Sequence, residues 1–118
     1  MASFDAFSRG DIVRVPFPYT DRPVRQQRPA LVVSNGAVGE NGALLWVVMI
    51  TSADNRPWPG DVTLGETYLA SGLPAPSVVR PAKIATIEAL HAVKLGRLSA
   101  GLLVEVTQAI IDQVLPAA

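Results

Sequence analysis

The chain of 118 residues contains no cysteine, which excludes disulfides and thiolate metal sites. With His91 as its single histidine and no clustered carboxylates, no resident metal or cofactor is expected. Net charge is absent too: ten basic residues balance ten acidic ones, so the chain as a whole is not a generic polyanion binder. Long apolar runs are missing, since residues 43–50 fall far short of the ~20 that span a bilayer. The opening Met1-Ala2-Ser3-Phe4-Asp5 has neither the basic nor the apolar region of a signal peptide. A cytoplasmic protein without membrane contact is expected. The sequence also lacks a GxxxxGK[ST] phosphate loop, a GxSxG elbow and an HExxH pair. Lysine is scarce as well. Eight of the ten cations are arginine, and five of those (Arg9, Arg14, Arg22, Arg25, Arg28) precede residue 29, while 98–118 hold none. Arginine grips phosphate in a fixed fork geometry, so the N-terminal quarter is locally suited to an anion.

With 49% hydrophobic and 17% charged residues, the composition is that of an ordinary globular domain, and 1–118 reads as one domain. Pro and Gly punctuate the first two thirds and then stop. Val13, Val15 and Phe17 alternate with Arg14 and Pro16, which predicts a strand with one wet face. Residues 18–27 read as a polar loop and 29–34 as a short strand. Asn35-Gly36 through Asn41-Gly42 supply hairpin turn residues. Residues 44–51 read as a central strand without alternation, with Trp46 expected in the core. Residues 54–60 form a second exposed loop. Short strands follow at 61–64, 77–80 and 84–87, with a turn or short helix at 66–70. After Ser99, a plausible N-cap, Leu103, Val106, Ile110 and Val114 recur at helical spacing, widened by Leu102 and Ile111. Five or six short strands and one C-terminal helix predict a mainly β, strongly bent sheet or compact barrel.

Few polar residues have a positional reason to do chemistry. Pro29 restricts Arg28 to an extended conformation at the start of a strand. Thr51-Ser52 closes the apolar strand, and Arg80 ends another. From spacing alone these remain open between ordinary strand-end groups and a convergent set. Two guanidiniums and a hydroxyl on one rim would make a phosphate clamp. Tyr19 and Trp58 flank the two loops, where aromatics can stack unpaired bases. His91 is expected at the surface or partly packed.

Taken in order, Gly10-Asp11-Ile12-Val13, Arg28-Pro29-Ala30-Leu31-Val32-Val33-Ser34, Ile50-Thr51-Ser52, Gly72-Leu73 through Ser77-Val78-Val79-Arg80, Ile84 through Ile87 and Leu95-Gly96-Arg97-Leu98-Ser99 resemble the MazF/PemK toxin family. The set spans residues 9–115. The resemblance implies an SH3-like (CcdB/MazF-type) compact barrel of five to seven short strands plus a C-terminal helix. It implies a homodimeric endoribonuclease toxin of a type II toxin–antitoxin pair, an mRNA interferase that cuts single-stranded RNA without a metal and is neutralised by a cognate antitoxin. The 2′-hydroxyl attacks the adjacent phosphate and the 5′-oxygen leaves. Residue by residue, it makes Arg28, Thr51 and Arg80 catalytic, and Ser52, Tyr19, Arg22, Arg25, Gln27 and Trp58 contacts to RNA. The chain departs from the family where some members carry an acid: those positions are Pro23 and Ala82, so no general base is assigned. A CcdB-like poison of DNA gyrase shares this fold, but its terminal Trp-Gly-Ile is not matched by Leu115-Pro116-Ala117-Ala118. A degenerate member that only binds RNA or antitoxin is a further alternative.

Overall fold

The computed structural model describes residues 6–18 and 25–116, with the Arg25 side chain excepted. Tyr19 and Arg22 lie outside the described residues, as does the Arg25 side chain. Among the described residues, six strands, β1 (Asp11–Pro18), β2 (Arg25–Val32), β3 (Leu44–Ser52), β4 (Val62–Thr63), β5 (Ser77–Glu88) and β6 (Val93–Arg97), precede one α-helix, α1 (Ala100–Val114). They form a single antiparallel sheet in the order β4-β5-β3-β2-β1-β6. The sheet curls into a half-barrel that α1 covers, as the mainly β, barrel-plus-helix expectation required.

Both faces of the sheet are buried along residues 47–51, which explains why β3 shows no polar alternation there. Val47, Val48 and Ile50 are fully buried and Met49 nearly so. Ile12, Leu31, Val48, Ile50 and Val79 point to the helix side, where they meet Val106 of α1. Val13, Val15, Phe17, Ala30, Val47 and Met49 point into the curl. Each fully buried aliphatic side chain contributes about 1.5–3 kcal/mol. The helix begins where predicted: the Ser99 hydroxyl accepts the Leu102 N–H at 3.4 Å.

Five expectations need correction. Trp46 is 50% exposed, not core. It lies opposite Thr86 on the helix side of the sheet, beyond the stretch that α1 covers. Residues 77–80 and 84–87 are one strand, β5, interrupted by a bulge. Met49 pairs with Arg80 and Val48 with Ile84, leaving Pro81-Ala82-Lys83 unmatched. The edge strand β6 was not foreseen. On α1, Ile111 and Val114 face solvent, so the core stripe is Leu102, Leu103, Val106 and Ile110. Finally, β2 starts at Arg25 rather than Pro29. Residues 25–29 pair with β1 alone, and pairing with β3 begins at Ala30. A proline is tolerated there because only one flank of the strand is paired.

Candidate nucleic-acid site

Arg28 and Thr51 meet where β2 runs past the end of its ladder with β3. Continuing the register from Ala30↔Met49 brings Arg28 level with Thr51. The two side chains share one face of the sheet. Arg28 Nη2 donates to Thr51 Oγ1 at 3.3 Å. Thr51 is 4% exposed. Arg28 is half-buried, and its Nε is buried with no hydrogen-bond partner among the described residues. An orphaned donor on a permanently charged group is costly in a protein interior. An anionic oxygen is the partner that would satisfy it.

The chain after Thr51 turns back at once. The Asn55 N–H bonds the Ser52 carbonyl at 3.1 Å, and the Asp54 N–H bonds Ser52 Oγ at 3.1 Å. Ser, Asp and Asn favour such turns because their side chains satisfy nearby backbone groups. The turn carries Asn55 Nδ2 to within 2.6 Å of Thr51 Oγ1. A hydroxyl has two acceptor positions and one proton. Arg28 and Asn55 fill both acceptor positions, so the Thr51 hydroxyl can act only as a donor to a third group. Asn55 was not foreseen from sequence. Its signal is the Ser52-Ala53-Asp54-Asn55 turn directly behind a strand-end threonine.

Arg80 is placed differently. Its register partner Met49 sets it on the same face as Thr51, two positions along β3. Its donors, however, bind Asp61: Nε to Oδ1 at 3.1 Å and Nη2 to Oδ2 at 3.0 Å. Nη2 also bonds the Arg56 carbonyl at 2.9 Å. The guanidinium lies 4.4 Å from the centroid of the Trp58 ring, a cation–π distance. The pair is nearly dry, with side chains 8% and 10% exposed. Burial pushes the Asp61 carboxyl up, but the hydrogen bond from Arg80, the Trp58 N–H and the Arg80 charge outweigh it and hold the pKa below the usual carboxylate value. An acid so held is a poor proton acceptor, and Asp61 serves to anchor the β3–β4 loop. Asp61 was likewise missed from sequence.

Of the other expected contacts, Ser52 and Gln27 are exposed beside Thr51 and Arg28, and Trp58 is half-buried beneath Arg80. Ala82 is exposed in the β5 bulge, and His91 is exposed beyond β5. Among the described residues no carboxylate pairs with Arg28 or Thr51. No three His, Asp or Glu side chains among them come together as a metal-binding group. No helix among them is long and apolar enough to cross a membrane. A cavity of about 350 Å³ opens at the far end of β3 and β5, lined by Phe7, Ala37, Ala43, Glu88, Ala89 and Leu90. It includes none of these groups.

The fold is that of solved toxins. A MazF crystal structure from Deinococcus radiodurans superposes with a TM-score of 0.75 at 23% identity, covering 92% of this chain and 96% of that one. An endoribonuclease in complex with its cognate antitoxin, from a mycobacterial species, gives 0.73 at 23% identity, covering 96% and 100%. The Mycobacterium tuberculosis toxin MazF-mt6 gives 0.66 at 22% identity, covering 87% and 95%. No curated protein matches the sequence. A model of the PemK-like, MazF-like toxins of type II toxin–antitoxin systems matches residues 8–114, and the chain belongs to that family.

Proposed function

We propose that the chain is a metal-independent endoribonuclease toxin that cuts single-stranded mRNA at the Arg28–Thr51 rim and thereby arrests translation and growth. The observation that carries this reading is the contact of Arg28 with Thr51 beside a buried Arg28 Nε that has no hydrogen-bond partner among the described residues. A guanidinium and a hydroxyl side by side can hold the oxygens of a scissile phosphate. The 2′-oxygen forms a bond to phosphorus, the bond to the 5′-oxygen breaks, and a 2′,3′-cyclic phosphate and a 5′-hydroxyl result. The 2′-hydroxyl proton passes to water, and the leaving oxygen takes one from water. Charge gathers on the non-bridging oxygens in between. A guanidinium fork and a hydroxyl donor fixed in advance stabilise that charge without reorganising. Arg28 and Thr51 are the catalytic groups. Arg80 contributes by fixing the loop that borders them.

Ser52, Gln27 and Trp58, with Tyr19, Arg22 and Arg25 of the preceding segment, are assigned to RNA contact. A cognate antitoxin and a second copy of the chain are the expected protein partners. Complexes of related toxins with their antitoxins support the first of these.

Cleavage of single-stranded RNA in EDTA tests the reading. Wild type is expected to cut, and Arg28→Ala and Thr51→Ala each to lose about 10²–10³-fold in kcat. Dependence on added metal would sink the mechanism. RNA or antitoxin binding without any cleavage would leave a binding protein on the same fold. Growth arrest that survives Arg28→Ala would point to a gyrase-type target.

A further inference from the structure

We infer that Asn55 is the positioning residue of Thr51, holding its hydroxyl proton outward so that Thr51 meets the RNA phosphate only as a donor. The inference rests on the nuclease reading of Arg28 and Thr51. With Arg28 alone, one acceptor position of Oγ1 would stay open, and the hydroxyl could rotate to present a lone pair to the phosphate. A lone pair facing an anionic oxygen repels it. Asn55 Nδ2, at 2.6 Å, occupies that second position. The Thr51 proton is then directed away from both donors.

The surrounding backbone holds Asn55 for this role from both sides. On the β3 side, the Ser52 carbonyl and hydroxyl fasten the turn through the N–H groups of Asn55 and Asp54. On the β4 side, Arg80 ties down the Arg56 carbonyl, and Asp61 receives the Trp58 N–H at 2.9 Å. The short stretch between the two anchors carries Asn55. The residue is itself exposed, so its substitution leaves the core intact.

The test is steady-state cleavage of a fluorogenic single-stranded RNA in EDTA by wild type, Asn55→Ala, Asn55→Asp, Thr51→Val and the Thr51→Val/Asn55→Ala double variant. Asn55→Ala is expected to lower kcat about ten- to hundredfold, as misplacing a preorganised donor does, with little change in KM. Asn55→Asp, which accepts the hydroxyl proton instead of donating to the oxygen, is expected to lower kcat further. In the Thr51→Val background, Asn55→Ala should change nothing further. An Asn55→Ala enzyme as fast as wild type overturns the inference alone, as does an equal fractional loss in both backgrounds. If Thr51→Val is too slow to measure, the single variants decide: Asn55→Asp as active as Asn55→Ala overturns it. A wild type that cuts no RNA overturns the nuclease reading and this inference with it.

Discussion

Arg28 and Arg80 carry the same guanidinium, and each stands immediately before a proline that holds it extended. Their partners separate them. Among the described residues Arg28 donates to the Thr51 hydroxyl and keeps a buried N–H without a partner, whereas Arg80 is fastened to Asp61, the Arg56 carbonyl and the Trp58 ring. Removing one member of a buried pair strands the other charge, at a cost of about 3 kcal/mol. Asp61→Asn should therefore destabilise the fold by roughly that amount in urea unfolding at pH 7. Its pH dependence follows from the lowered pKa of Asp61. A carboxylate held below its unfolded value contributes stability that is complete above that value, about 3.9. The contribution is lost as pH falls through the lower folded value. The gap between wild type and Asp61→Asn should then be full at neutral pH and narrow below about pH 4. A gap that is constant across that range would show that Asp61 acts by shape rather than by charge.

At the scale of elements, the scattered sequence pieces become contacts. Asp11, 2% exposed at the start of β1, accepts Arg97 Nη1 of β6 at 2.7 Å, which joins the first and last pieces of the family pattern. Gly72 and Gly96 meet backbone to backbone. A Cβ on Gly96 would fall on the Ser71 carbonyl, and one on Gly72, which has φ +89°, on the Leu95 carbonyl. Gly96→Ala should cost about 2–3 kcal/mol through overpacking and lower Tm by roughly 10 °C. Gly101→Ala is the control. It lies in α1 with no atom near its would-be Cβ, and should raise stability by about 0.5–1 kcal/mol. Equal effects at the two positions would show that the close approach does not limit the fold.

These contacts also mark how far the sequence could be read. The meeting of Arg28 with Thr51 could be anticipated because each stands in a recognisable run, Arg-Pro before a buried strand and Thr-Ser after one. Asn55 and Asp61 were not, because their roles depend on a turn and a loop closure that no periodicity encodes. Trp46 misled because an apolar residue in a central strand is core only where something covers that face. Pairing of β6 with β1 joins residues far apart in the chain, Asp11 with Arg97 and Arg14 with Val93 among them, which local alternation cannot foretell.

At the scale of the whole molecule, α1 leaves an exposed apolar surface, bordered by Arg9, which donates to Thr107 Oγ1 at 3.2 Å. Val104, Ile111 and Leu115 are 68%, 40% and 60% exposed. Their spacings of seven and four place them on one face. With Arg9, Leu103 and Thr107, Val104 and Ile111 line a groove of about 340 Å³, and the only charged residues of the helix are Glu105 and Asp112. A second copy of the chain is the occupant proposed for this face. An isologous contact would need to bury on the order of 800 Å² per protomer, a feasible share of a 7117 Å² surface. Light scattering behind size exclusion should then give twice the 12.5 kDa chain mass at micromolar concentration. Val104→Glu combined with Ile111→Glu should return the single-chain mass with unchanged circular dichroism, because neither side chain belongs to the core. A wild type that runs as a monomer would remove the dimer from the proposal. A double variant that stays dimeric would move the interface to another exposed apolar pair, Trp46 and Ile84, on the part of the sheet that the helix leaves uncovered.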